Sequence, residues 1–407
     1  MTGRYECLDA VALLCLILCR CDGKIDCKDN SDEEACRVVE VGTSYNKYLS
    51  PGAGAGAARV PVLGSMTLHL LASFDPVTGS YAAEFTLQLR WFDHRLSFNN
   101  LRAAPKINLI QPEQTEAIWF PHFVFDNTDT KKTSVIDTKS SVQVDKAGAG
   151  RLSGPQELEN KLVYSGSDNS VVYQRYYSLL LDCQYTLHWY PFDTQVCHLD
   201  ITPASELEDF VQFEVESFVY EGPMDLTEYT IKEIDMAAVE EKLRVAVSIQ
   251  RKLLSLVLRT FIPTMILNII GHMSNYYKES NFVGLMTLNV TVTLVLTTMF
   301  LSISTNLPPT AYIKMIDVWL LFNLLKPFID IIVNTYIENQ RGKRAESSKK
   351  EAWSAGKPKL GPEVAGDPGQ APTVQQCRYF LRVVYPAFYV LFVVFFWIIG
   401  LIKYYSS

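Results

Sequence analysis

Four long apolar stretches in the last third of the chain limit what it can fold into more than any other feature. They cover about 253–274, 283–304, 316–336 and 380–404, and an α-helix needs roughly 20 apolar residues to cross the hydrocarbon core of a bilayer. Pro263, Pro327 and Pro386 fall inside them, which neighbouring helices tolerate in a membrane. Buried helices of a soluble protein are the alternative, and four such lengths in succession argue against it. The whole-chain figures, 48% hydrophobic and 20% charged, hide this division, because most of the charge lies before Lys252. The net charge of -7 argues against nucleic acid as a partner, since phosphate binding needs a basic surface. An acidic surface instead raises the local cation concentration near a cleft or mouth.

Between the third and fourth stretches, at about 338–376, Gly, Pro, Lys and Ala dominate, a composition that predicts a flexible loop. Arg341, Lys343, Arg344, Lys349 and Lys350 stand at its start, and positive residues beside a span favour the cytoplasmic side. Four spans then place the N-terminal domain and the C-terminus outside the cell, on a multi-pass plasma-membrane protein. Upstream, from about 45 to 250, the pattern is strand-like. The segments 65–74, 81–91, 171–181 and 243–250 alternate or concentrate β-formers, and Asp75-Pro76, Thr78-Gly79 and Gly222-Pro223 mark turns. Many short strands with regular turns predict a β-sandwich. The expected fold is therefore a multidomain membrane protein, with an extracellular all-β immunoglobulin-like sandwich over 38–252 followed by a four-helix transmembrane bundle over 253–407.

Of nine cysteines, six lie between Cys7 and Cys36, Cys183 and Cys197 lie mid-chain, and Cys377 stands alone. Clustered and paired cysteines ahead of membrane spans point to an oxidising compartment, with Cys377 the free thiol. Thirteen residues separate Cys183 from Cys197 and enclose Tyr190-Pro191-Phe192-Asp193. This segment resembles the signature loop of the Cys-loop receptors, the pentameric ligand-gated ion channels. Trp91, Asp93, Arg95 and Leu96 resemble that family's W-x-D-x-R-L strand, and Trp119 and Pro121 its W-x-P stretch. Arg251 stands where the family has a basic residue entering the first span, and Asn306-Leu307-Pro308-Pro309 matches the linker leaving the second. The resemblance covers about 45–405. It implies a Cys183–Cys197 disulfide, which at this loop size restricts the unfolded chain by roughly 3 kcal/mol. It also implies a non-enzymatic channel assembled from this chain and four like subunits, gated by a small-molecule, proton or divalent-cation agonist at the subunit interface. Tyr190, Pro191, Phe192 and Asp193 would press on the Pro308–Lys314 linker, with Arg251 and Asp193 as charged partners.

In that family the second span lines the pore. With the register anchored on Pro308, the resemblance assigns the pore face to Thr287, Thr291, Leu294, Thr298, Leu301 and Thr305, one stripe at helical spacing. Threonine rings would replace part of an ion's hydration, and rings of Leu294 and Leu301 would close the path by dewetting. A second stripe, Thr293, Thr297 and Ser304, reads as helix-to-helix hydrogen bonding. The Pro-Ala-Arg that anion-selective members carry before this span is absent, and Glu279 is the charge nearest the inner mouth. Those two features point to cations.

Amine receptors of the family hold a cationic ligand in an aromatic cage. The cage positions map to Thr86, Asp126 and Ala204, none aromatic, so an acetylcholine- or serotonin-type site is not expected. Acidic residues surround them, among them Glu206, Glu208, Asp209, Glu233, Asp235, Glu240 and Glu241. Two readings stay open: a proton or divalent-cation site, since clustered carboxylates raise one another's pKa and attract metal, or a solvated acidic surface.

The start of the chain is different in kind. The stretch 21–36 resembles the C-terminal half of a low-density-lipoprotein-receptor class A module, in which Asp22, Asp26, Asp32 and Glu33 would grip calcium. The apolar run before it, 8–19, is signal-like. A rival function follows, a non-conducting surface receptor or accessory subunit that binds partners through this module. No nucleophile–base or metal constellation suggests an enzyme, and no cofactor is required beyond calcium at that module.

Overall fold

A computed structural model describes residues 37–52, 59–128, 140–152, 162–277, 281–354 and 372–406. The calcium candidates Asp22, Asp26, Asp32 and Glu33, and the inner-mouth candidate Glu279, lie outside the described residues.

Strict alternation of apolar and polar residues builds the first half. In β3 (Ser80–Trp91) the buried apolar positions are Tyr81, Ala83, Phe85, Leu87, Leu89 and Trp91. In β13 (Lys242–Arg251) the buried apolar positions are Leu243, Val245, Val247 and Ile249. Period-two burial is what a strand with one wet face requires. One sheet runs β11-β2-β3-β9-β6, from Val211–Tyr220 (β11), Val60–Asp75 (β2), β3, Ser170–Asp182 (β9) and Ser141–Asp145 (β6). A second runs β12-β13-β10-β5, from Tyr229–Val239 (β12), β13, Thr194–Pro203 (β10) and Phe123–Phe125 (β5). A smaller sheet orders Val39–Val41 (β1), Leu96–Asn99 (β4), Leu162–Ser165 (β8) and Arg151–Leu152 (β7). The buried faces share one hydrophobic core. The result is the expected all-β sandwich, and the four predicted strand segments fall within β2, β3, β9 and β13.

Four helices follow: α1 (Leu253–Tyr276), α2 (Phe282–Thr305), α3 (Met315–Ser354) and α4 (Pro372–Ser406). In α1 and α4 a five-residue π-helical turn, Val257–Phe261 and Phe380–Val384, ends two residues before Pro263 and Pro386. A proline ring displaces the carbonyl one turn back and offers it no N–H, and a widened turn accommodates both.

By length and composition α1, α2 and α4 are long and apolar enough to cross a membrane. The third predicted span is the first half of α3, which carries Asp317, Lys326 and Asp330. Two of these charges turn inward: Lys326 Nζ donates to Asp330 Oδ2 at 2.7 Å and both side chains are buried. One expectation needs correction: the loop does not begin at 338. Helix α3 continues to Ser354, because Arg, Lys, Glu and Ala after Gln340 are strong helix formers and no proline interrupts them.

Gly166 fixes the corner where β4 meets β8. Its N–H donates to the Leu96 carbonyl at 2.9 Å, and a Cβ there would run into the backbone oxygen of Asp93. Gly166→Ala is expected to destabilise the folded chain by about 1–3 kcal/mol, read as a lower thermal midpoint. Gly42→Ala, with open space around it, is expected to leave the midpoint unchanged.

Candidate functional site: the junction, the polar helix face and the sandwich cleft

β9 ends at Asp182 and β10 begins at Thr194, and Cys183 is bonded to Cys197 with their Cα atoms 5.2 Å apart. The resulting loop inserts Leu187, Tyr190 and Phe192 into a core formed by Phe261 of α1, Trp319 and Leu320 of α3 and Phe396 of α4. Backbone groups lock the contact. Leu187 N–H donates to the Tyr312 hydroxyl at 3.0 Å, Met315 N–H to the His188 carbonyl at 3.0 Å, and Ile316 N–H to the Tyr190 carbonyl at 3.1 Å. The Phe192 ring lies 6.0 Å from Phe396 and 5.7 Å from Trp397, centre to centre. It fits because residue 400 is glycine, where a Cβ would stand 2.5 Å from the Phe192 ring.

Beside this apolar plug sits one buried ion pair. Arg251 Nε donates to Asp193 Oδ1 at 3.1 Å and Nη2 to Oδ2 at 3.3 Å, with the side chains 7% and 2% exposed. The guanidinium lies between the rings of Tyr190 and Tyr229, 4.6 and 4.7 Å from their centres. Burial opposes its charge, but Asp193 and the two tyrosines outweigh burial and hold its pKa above the usual arginine value. Gln195 completes the cage, donating to Asp193 and to the Thr186 carbonyl at 2.8 Å. Pro308 is half-buried at the head of the linker. The linker meets the loop through Leu307 and Tyr312 instead. At the far edge, Gln250 Nε2 donates to the Tyr404 carbonyl of α4 at 2.6 Å.

Sequence reasoning selected the loop, Asp193 and Arg251, but missed Gln195, Gln250, Tyr312 and Gly400. Only Gly400 left a signal, a lone glycine in a run of bulky apolar residues. Cys377 is a free, half-buried thiol.

On α2 the faces divide clearly. Asn289, Val292 and Leu296 are buried against the rest of the chain, while Thr287, Thr291, Leu294, Thr298, Leu301 and Thr305 are all exposed. Thr293 and Thr297 of the second stripe are half-buried, donating to the Asn289 and Thr293 carbonyls at 2.8 Å. Within the single chain they bond inside their own helix. Ser304, the last member, is exposed.

The agonist candidates do not converge. Thr86 lies in the β3 sheet, bonded to His69 Nε2 at 2.8 Å. Asp126 lies beyond β5 in the other sheet, and Ala204 N–H donates to the His122 carbonyl at 2.9 Å. Asp126 lines a cleft of about 590 Å³ with Arg59, Thr202, Glu208, Glu241 and Lys242. Glu206 and Asp235 are exposed and do not line it. Part of the acidic surface is paired with bases. Lys242 Nζ donates to Asp126 at 2.6 Å, Arg59 pairs with Glu241 and Asp209, and Arg244 grips Asp200 through two bonds of 2.8 Å. Burial alone would raise the Asp126 pKa, yet the bond and positive charge of Lys242 hold it below the usual carboxylate value. Of the two readings left open for the acidic residues, this speaks against a proton site at Asp126. No group of three or more His, Cys, Asp or Glu side chains is placed to hold a metal ion among the described residues.

A sandwich plugged into apolar helices through a disulfide loop and a buried Arg–Asp pair agrees with the comparison to known proteins. The family of the neurotransmitter-gated ion-channel ligand binding domain matches residues 37–259. The chain belongs to this family, which is one of receptors and not of enzymes. Among its relatives, the glutamate-gated chloride channel subunit beta of Haemonchus contortus is 25% identical over 300 residues, 70% of this chain and 63% of the relative. The gamma-aminobutyric acid receptor subunit beta-like protein of Drosophila melanogaster is 24% identical over 329 residues, 74% and 62%. The gamma-aminobutyric acid receptor subunit pi of Rattus norvegicus is 24% identical over 289 residues, 68% and 60%. The chain thus spans less than two thirds of the length of these relatives.

Removing one member of a buried ion pair leaves the other charge stranded. Arg251→Met alone is expected to cost about 3–5 kcal/mol in thermal unfolding, and adding Asp193→Leu is expected to recover part of that loss. For Asp126 the folded pKa lies below the unfolded value, so the pair's stabilisation is complete above about pH 4. It is lost as pH falls through the lower folded value. Asp126→Asn is expected to remove that acid-side component from a pH titration of stability and leave the rest of the profile unchanged.

Proposed function

We propose that this chain is a subunit of a pentameric ligand-gated ion channel of the plasma membrane, with the sandwich and the C-terminus outside the cell. The observation that carries this reading is the division of α2. Every residue of the Thr287–Thr305 stripe is exposed in the single chain while the opposite face is packed. A polar threonine stripe has no use facing lipid, and fivefold assembly would turn it onto a water-filled axis. Rings of Leu294 and Leu301 then form the constriction that dewets and closes.

An agonist bound between sandwiches favours the open form only in proportion to its tighter binding there. Movement of β10 and β13 is delivered by the Arg251–Asp193 pair and the Phe192 plug to α1, α3 and α4. The Leu307–Tyr312 segment carries it to α2. The cleft beside Asp126 holds two bases, Arg59 and Lys242, both paired, and four carboxylates, Asp126, Glu208, Glu240 and Glu241; that excess of carboxylates suits the ammonium group of a small amino-acid agonist. The cation preference suggested by Glu279 finds no support in the relatives. One of them is named a chloride channel, and anion permeation is the reading we adopt.

Expression of this chain alone, with recording during application of glutamate and γ-aminobutyric acid under a chloride gradient, tests the proposal. Agonist-evoked currents reversing with chloride are expected. Leu294→Ser is expected to raise agonist sensitivity about tenfold, equivalent to about 1.4 kcal/mol, or to open the channel without agonist. A silent protein at the cell surface, or a Leu294→Ser variant that only loses expression, would favour an accessory, non-conducting role.

A further inference from the structure

Helix α2 is apolar on every side, so burial of apolar area only weakly fixes how it is turned about its own axis. Val292 and Leu296 are buried, whereas Val283, Val290, Leu294 and Leu301 are exposed. Turning one such side chain inward would bring another out, with little change in the area removed from water. The stripe from Thr287 to Thr305 and the stripe of Thr293, Thr297 and Ser304 stand about 100° apart at 3.6 residues per turn. A turn of that size would exchange them. One polar contact chooses between the two. Of the three residues that α2 buries, Asn289 is the polar one, and it is fully buried. By helical geometry it lies roughly opposite the Thr287–Thr305 stripe. Its Nδ2 donates to Ser274 Oγ of α1 at 2.9 Å and to the Leu285 carbonyl at 3.1 Å. A second link from α2 to a neighbour, Thr335 Oγ1 to the Met286 sulfur at 4.0 Å, is weak, as thioether acceptors are.

The socket that receives Asn289 is held by the other three helices. Trp319 Nε1 donates to Thr264 Oγ1, Asn268 Nδ2 to Asn323 Oδ1 and Asn275 Nδ2 to Asp330 Oδ1, at 3.0, 2.6 and 3.3 Å, and each pair is 55 residues apart. That constant separation means that α1 and α3 run parallel in a single register, with Ser274 beside the last rung. Ser274 Oγ is itself fixed, donating to the Gly271 carbonyl at 2.6 Å. Arg382 of α4 ties in the same point through two bonds to the Asn275 carbonyl, at 3.1 and 3.0 Å. Asn289 Oδ1, by contrast, is buried with no partner, so the amide is less favourable there than an apolar side chain of its shape. A lone buried asparagine of this kind fixes register in helix assemblies at a cost in stability. We propose that Asn289 is a positioning residue that sets the rotation of the pore helix, directing the Thr287–Thr305 stripe and not the Thr293–Ser304 stripe to the axis. The water-filled axis rests on the channel reading above; the rotation is a property of the single chain.

The test introduces Thr298→Cys or Thr297→Cys, one on each stripe, into the full chain expressed at the cell surface. Each is reacted with a charged methanethiosulfonate reagent, and the signal of the chain without the added cysteine is subtracted. A thiol on a wet axis reacts, whereas one packed between helices is shielded. With Asn289 in place, Thr298→Cys is expected to react faster than Thr297→Cys. Asn289→Leu and Ser274→Ala are each expected to shrink that ratio about three- to tenfold, the shift in population that one net hydrogen bond supports. The thermal midpoint of the purified Asn289→Leu chain is expected to hold or rise, which a merely structural amide would not allow. Ser274→Ala leaves Asn289 intact and covers the case in which Asn289→Leu fails to fold. An unchanged ratio in the variants, or a midpoint that falls while the ratio holds, would overturn the positioning role. Thr298→Cys reacting no faster than Thr297→Cys with Asn289 present would instead overturn the stripe assignment of the channel reading, and this inference with it.

Discussion

The buried contact between Arg251 and Asp193 is the constraint on which the rest of the structure depends. Arg251 ends the last strand of the sandwich and stands one residue from the first helix, while Asp193 ends the disulfide loop. Joining them places the loop's apolar tip on the helices, and burying both charges makes any partial separation costly. The tyrosine faces lie on either side of the guanidinium, and the Gln195 amide donates a further bond to Asp193. The junction is therefore a stiff joint. In the proposed channel, strain arising in β10 or β13 would pass to the helices through this joint.

Much of this was legible in the sequence, and the reasons are physical. Alternation in 81–91 and 243–250 identifies strands because a half-buried sheet needs it. The Cys183–Cys197 loop is legible because its aromatic-proline-aromatic-aspartate centre is so specific. The face of α2 that stays exposed is legible once Pro308 sets the register. What could not be read is contact across long separations. Gln250 reaches Tyr404 across most of the helical half, and Phe192 reaches Gly400 across a similar distance. No local pattern encodes either.

The acidic surface shows the converse difficulty. Counting carboxylates near Asp126 left a raised pKa open, yet Lys242, Arg244 and Arg59 arrive from strands and loops distant in sequence and pair with Asp126, Asp200 and Glu241. Charge read along a chain has no knowledge of what folds beside it. The same holds for α3. Asp317, Lys326 and Asp330 lower its apolar character on paper, but Lys326 and Asp330 satisfy one another inside the bundle, where a paired charge survives far better than a lone one.

Helix α3 has 40 residues, about 60 Å at 1.5 Å per residue, roughly twice the thickness of a hydrocarbon core. If its first turn sits at the sandwich, its last turns must project beyond the lipid as a rigid spoke bearing Arg341, Lys343 and Arg344. Five such spokes would form a basic palisade beneath the membrane. Whatever leaves the axis on that side would have to pass between them.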